Sequence, residues 1–311
     1  MWRPSTERVV RWLRRALPAA AALCILTPAQ AAAPLADRAE GSNAPLVPGG
    51  RLLADIPYAA VDGEPLLLDL HLPPGRHRAP LVIYLHGGAW RLGDKAEVPP
   101  FLVQQGFAVA SLNFRSSSQA RFPANVHDIK AGIRFLRAQA DRYGYRAERI
   151  AVTGSSSGGH LAALIGVTNG HAQLEGDIGE HDAVSSDVQA IITWVGASNL
   201  ATILAQSTPQ GLKMRVPALQ QLLGAMPGDV PELTALASPV SHVDAGDPPV
   251  LILHGDQDQT IPVNQALELD AAYRRAGLVA DLQIINGVGH VARPFFSGPA
   301  TDRAVEFLHR T

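Results

Sequence analysis

The chain has 311 residues, 47% hydrophobic and 17% charged, which excludes extended disorder and allows one large α/β core. Its formal net charge of −2 offers no basic field, so no nucleic-acid partner is expected. A single cysteine, Cys24, excludes a disulfide framework.

Arg3, Arg8, Arg11, Arg14 and Arg15 precede an apolar stretch over 16–27, and Pro28-Ala29-Gln30-Ala31 then ends in an Ala-x-Ala pattern. Basic, apolar and small-residue segments in that order read as a signal peptide over 1–31, and the apolar part is too short to span a membrane. A secreted or periplasmic protein with no membrane span is therefore expected. The flanks of Arg14-Arg15 fit twin-arginine export poorly. Cleavage after Ala31 removes Cys24 and leaves 21 basic and 27 acidic residues, with no thiol to act as nucleophile. Residues 32–50, rich in Ala, Pro and Gly, read as a linker, and 51–311 as one folded domain.

From there strand and helix signals alternate, the pattern of a mostly parallel sheet with helices on both faces. Leu66–Leu72 alternates partly and stops at Pro73-Pro74, which suits an antiparallel edge region. Leu81–Leu85 and Phe107–Leu112 are short apolar runs of the kind buried in parallel sheets. Val126, Ile129, Ile133 and Leu136 recur at helical spacing over 124–143, and Gly144 ends that helix. Ile150-Ala151-Val152, Val188–Val195, Val250–Leu253 and Leu282–Ile285 are further strands. Helices are expected over Gly159–Val167, Pro262–Ala276 and Ala304–His309. Thr168–Asp187 reads as a long polar loop. Residues 196–247, with short apolar pieces and several prolines, read as a helical cap inserted at the active-site end of the sheet.

Three segments carry chemistry, each at the exit of a predicted strand. Gly154-Ser155-Ser156-Ser157-Gly158 has the G-x-S-x-G spacing of a nucleophile elbow, in which the central Ser156 is presented and its neighbours must be small. Asp258 follows Val250–Gly255, and His290 follows the last predicted strand in a Gly-bounded loop. Serine is a weak nucleophile unless an imidazole takes its proton, and the imidazole needs an acid to fix its tautomer. The order Ser156, Asp258, His290 is that of α/β-hydrolases. Asp256 competes for the acid's role from two residues earlier, with position in the loop favouring Asp258. His160 and His254 lie near the motifs, but a helix and a strand context make them structural.

His86-Gly87-Gly88-Ala89-Trp90 supplies an oxyanion loop. Gly87 and Gly88, with the backbone N–H of Ser157, are its expected donors, and Trp90 either lines the substrate pocket or packs against the loop. His171 and His181 are solvated loop residues rather than metal ligands. No metal and no cofactor are implied.

These segments resemble the α/β-hydrolase esterases related to feruloyl and acetylxylan esterases, whose kin include hormone-sensitive-lipase-like carboxylesterases. The resemblance covers about 58–309 and rests on His86–Trp90, Phe122-Pro123-Ala124, Gly154–Ala162 and His254-Gly255-Asp256-Gln257-Asp258. It implies the α/β-hydrolase fold and a carboxylesterase acting on small-molecule or carbohydrate-linked esters, and it places the acid at Asp258. Ala89, Ser157 and Val195–Asn199 depart from the usual pattern, where a third glycine, an alanine and a Phe-Gly-Pro-x-Asp run are common. An amidase or peptidase of this fold, or a silent binding module, are the alternatives.

Overall fold

A computed structural model describes residues 45–75 and 77–311. The signal peptide expected over 1–31, and the linker as far as residue 44, lie outside the described residues. Among the described residues the strands are β1 (Arg51–Val61), β2 (Glu64–Leu72), β3 (Ala79–Leu85), β4 (Ala108–Leu112), β5 (Tyr145–Ser155), β6 (Ala190–Trp194), β7 (Val250–Gly255) and β8 (Asp281–Ile285). They form one sheet in the order β1-β2-β4-β3-β5-β6-β7-β8. β1 pairs with β2, and β2 with β4, antiparallel, while every other pairing is parallel. This is the α/β-hydrolase arrangement expected from the alternation of strands and helices.

The apolar runs are continuous because the central strands are covered on both faces. Side chains alternate across a strand, so Leu81, Ile83 and Leu85 of β3 enter one core while Val82 and Tyr84 enter the other. The first core packs on helices Ala124–Ala138 and Ser157–Gly166; the second on Phe101, Phe295 and the Pro299–Arg310 helix. Val47, near the end of the expected linker, is buried in the second core.

Some elements differ from their sequence signals. β1 is a strand where no regular alternation is present, because register shifts between Leu53 and Ile56 and between Pro57 and Ala59 break it. The helix expected over 124–143 is two pieces, Ala124–Ala138 and Ala140–Tyr143, closed by Gly144 at φ +84°. The polar loop 168–187 contains a short helix, Ala172–Glu175. Its Glu175 accepts hydrogen bonds from Lys130 Nζ (2.5 Å) and Ser186 Oγ (2.6 Å), so this one carboxylate of the loop faces inward. The 196–247 segment carries the helix Pro209–Leu223, capped by Thr208 Oγ1 on the Gly211 N–H, with shorter helices on either side.

Candidate active site

In a parallel sheet the loops leaving the carboxyl ends of the strands converge on one edge, where α/β proteins bind ligands. Gly87, Ser156, Asp258 and His290 follow β3, β5, β7 and β8 respectively, so the sheet itself brings together segments far apart in sequence.

Ser156 sits at φ +57° and ψ −122°, between the end of β5 and the Ser157–Gly166 helix. Its N–H donates to Trp194 O (2.9 Å), which fixes the turn against β6. A non-glycine residue in the left-handed region is strained, and the surroundings hold it there. Gly158 explains the glycine of the motif: a Cβ there would lie 2.0 Å from Leu85 O, so β3 can approach the elbow only if that position is bare. Ser155 and Ser157 are buried, while Ser156 is partly exposed. Ser155 Oγ faces the Tyr84 hydroxyl (3.4 Å) instead of the site.

His290 Nε2 lies 2.9 Å from Ser156 Oγ, and His290 Nδ1 lies 2.7 Å from Asp258 Oδ2. The carboxylate's other oxygen, Oδ1, accepts from the N–H groups of Thr260 and Ile261, both at 2.8 Å. The Asp258 side chain is fully buried. Burial works to raise its pKa, but hydrogen bonds from His254 and His290 outweigh that and hold it well below the usual carboxylate range. Asp256 is elsewhere: its Oδ1 accepts from the Gly287 N–H (2.7 Å), tying the exit of β7 to the loop that carries His290.

The loop 87–93 folds back on the elbow. A Cβ on Gly87 would be 3.5 Å from Ser156 Cβ, which places the Gly87 backbone directly beside the serine. Gly88 adopts φ +107°, and its carbonyl accepts from the Arg91 and Leu92 N–H groups. Ala89 and Trp90 follow at φ +55° and +61°. The left-handed Ala89 gives a reason why a third glycine suits that position. Gly93, which the sequence did not single out, is as constrained: a Cβ there would meet His86 Nδ1 at 2.1 Å. His86 donates from Nδ1 to Gly87 O (2.9 Å) and stacks on Phe114, and burial lowers its pKa.

Trp90 is buried, with its indole N–H donated to His160 Nδ1 (3.0 Å). His254 is also buried, and its Nε2 lies 3.3 Å from Asp258 Oδ2. Arg215, on the Pro209–Leu223 helix, carries no sequence signal for the site: its guanidinium donates to Thr260 O, two residues after Asp258. His171 packs edge-on against His242, and His181 lies near Phe135. Among the described residues no group of three or more His, Cys, Asp or Glu is placed to hold a metal ion, and no helix is long and apolar enough to cross a membrane.

Residues 68–273 match the BD-FAE family. The chain belongs to that family. It is 32% identical over 249 residues to the esterase LipQ of Mycobacterium tuberculosis, covering 76% of this chain and 57% of LipQ. In fold it is similar to a truncated carbohydrate esterase from gut microbiota, with a TM-score of 0.76 and 30% identity over 83% of this chain and 95% of the other. A bifunctional GH43-CE protein of Bacteroides eggerthii follows at a TM-score of 0.73 and 33% identity, over 83% of this chain and 35% of that one. The chain spans about half the length of the curated relatives it matches. As a BD-FAE member with an α/β-hydrolase sheet, it has relatives and structural neighbours named as esterases.

Proposed function

We propose that the BD-FAE chain is an exported serine carboxylesterase that works through an acyl-enzyme. The observation that carries this reading is the continuous hydrogen-bonded chain from Ser156 Oγ through His290 to Asp258, mounted on a strained elbow. His290 Nε2 takes the Ser156 proton as Oγ attacks the ester carbonyl, and the resulting imidazolium is stabilised by the buried Asp258 carboxylate. Backbone N–H groups of Gly87, Gly88 and Ser157 hold the oxyanion, each such donor being worth about 2.7–4 kcal/mol in the transition state. His290 returns the proton to the leaving alcohol. Water, activated by the same imidazole, then releases the acid and frees Ser156.

Trp90 acts in this scheme by fixing the oxyanion loop, since its N–H is committed to His160. The named relatives support an ester substrate, and the neighbour named as a carbohydrate esterase supports an ester borne on a sugar. Export, with cleavage near Ala31, rests on the basic, apolar and Ala-x-Ala sequence. N-terminal sequencing of the exported protein tests it: a start near Ala32 supports the proposal, and an intact Met1 on protein retained in the cell refutes it.

Labelling with a serine-directed organophosphonate, followed by peptide mapping, tests the mechanism. Modification of Ser156 with parallel loss of hydrolysis is expected. Modification elsewhere, or hydrolysis that survives full labelling, overturns it. A panel of acetyl, longer acyl and feruloyl esters on aryl and sugar alcohols then assigns the substrate.

A further inference from the structure

Asp258 Oδ2 faces two histidines. His290 Nδ1 approaches at 2.7 Å and His254 Nε2 at 3.3 Å, and the His254 and Asp258 side chains are both fully buried. His254 belongs to β7, four residues before the acid, so its ring is held by the sheet and not by a loop. Its Nε2 also lies 2.9 Å from Ile261 O. Two acceptors and no donor face that nitrogen, which places the ring proton on Nε2. Nδ1 is buried with no hydrogen-bond partner, and as an unprotonated acceptor it leaves no donor stranded.

A histidine that served the fold alone would be satisfied by Ile261 O. The second contact is directed at the reacting assembly. With Thr260 and Ile261 N–H groups on Oδ1, the four approaches fill the roughly four acceptor positions a carboxylate offers. Arg215, whose guanidinium holds Thr260 O, and Asp256, held by the Gly287 N–H, are further charged groups at this loop.

We propose that His254 is a positioning residue for the esterase reaction: its Nε2–H, shared between Ile261 O and Asp258 Oδ2, sets the rotation of the carboxylate that orients His290. This rests on the serine esterase reading. The second donor also draws on the carboxylate's charge. Without it, Asp258 interacts more strongly with His290 and favours the imidazolium, while the carboxylate gains freedom to turn away from productive geometry.

The test compares His254→Gln, His254→Asn and His254→Leu in the full chain, with thermal unfolding, kcat and KM on one activated aryl ester, and the acid limb of the pH profile. Gln can place an N–H near the position of Nε2, Asn is too short, and Leu has none. Asn and Leu are expected to lower kcat about tenfold, the loss of one such hydrogen bond, with KM little changed and the acid limb moved to higher pH. Gln is expected to restore most of kcat and the wild-type limb. Wild-type kcat and limb in the Asn or Leu protein, or a Gln protein no better than Asn, overturns the proposal. If Leu prevents folding, the Gln–Asn comparison decides alone. Ser156→Ala, run alongside, separates the two levels: turnover that survives it refutes the serine reading and this inference with it, whereas its loss beside unaffected His254 variants refutes this inference only.

Discussion

Trp90 Nε1 donates to His160 Nδ1 over 3.0 Å, and His160 Nε2 donates in turn to Ala237 O over 2.8 Å. Indole only donates, so the shared proton direction is fixed: His160 must keep Nδ1 bare and carry its proton on Nε2. One imidazole thereby joins the 87–93 loop, the helix behind the elbow and the 196–247 insertion. A second proton would break the contact to Trp90, and burial pushes the His160 pKa down to about 4.

That depression makes the fold acid-sensitive through this site. The unfolded chain binds a proton on His160 near pH ~6.5, whereas the folded protein resists until about 4, so the unfolded state holds more protons between those values. Stability contributed here is present above ~6.5 and is lost as the pH falls through that window, with a slope of up to about 1.4 kcal/mol per pH unit. Urea unfolding of wild type and His160→Gln at about pH 7 and about pH 5 measures it. The variant is expected to be less stable at neutral pH and to lose less on acidification. Equal acid losses in the two proteins refute the assignment.

The 87–93 loop, proposed to hold the oxyanion, gives a sharper mutational contrast. Gly88 is at φ +107°, and a Cβ there would lie 2.2 Å from Leu92 O, so Gly88→Ala must displace the loop that flanks Ser156. A fall in kcat of about 10²–10³ is expected, the cost of losing one oxyanion donor. Gly63→Ala is the control: φ is +86° but nothing lies within 4 Å, so it strains the β1–β2 turn without touching the site. Its expected effect is a destabilisation of about 1 kcal/mol with kcat unchanged. Comparable kcat in the two variants removes Gly88 from the mechanism.

What the sequence made legible, and what it did not, follows from the range of the interactions. The central strands announce themselves because both faces are buried, and the elbow because Gly154 and Gly158 must be bare where β3 crosses. β1 is obscured by its two register shifts, although Asp62-Gly63, at φ +54° and +86°, forms the turn into β2 and carries the Asp-Gly signature of such hairpins. Helix limits moved by a few residues because ends are set by local caps. The contacts of His254 with Asp258, Trp90 with His160 and Arg215 with Thr260 have no local signature. Each joins elements whose proximity exists only after the sheet has assembled its strand order.

The three serines of the elbow differ in exposure and in contacts, Ser156 alone being partly exposed and beside His290. Ser156→Ala is expected to abolish ester hydrolysis while leaving thermal unfolding near wild type, since a partly exposed hydroxyl is removed and no core volume is lost. Ser155→Ala deletes only a 3.4 Å contact to Tyr84 and is expected to retain substantial turnover. Steady-state kinetics on one aryl ester, with unfolding as control, measure both. Near wild-type turnover in Ser156→Ala moves the nucleophile elsewhere.

The two aspartates near the end of β7 separate by what each one holds. Asp258 holds the Nδ1 side of His290 at 2.7 Å, and Asp258→Asn puts an amide there that neither fixes the tautomer nor stabilises the imidazolium. By analogy with the equivalent change in a serine protease, kcat is expected to fall by about 10⁴. Asp256 accepts one hydrogen bond, from the Gly287 N–H at 2.7 Å, and the oxygen of an asparagine amide can still accept it. Asp256→Asn therefore keeps the loop tie and is expected to stay within about tenfold of wild type, a loss of no more than roughly 1.4 kcal/mol. Measuring kcat/KM for both variants on one activated ester decides the assignment. If Asp256→Asn is the crippling change, the buried carboxylate beside His290 is not the acid of the reaction, and the charge of Asp256, the one property that variant removes, carries that role instead.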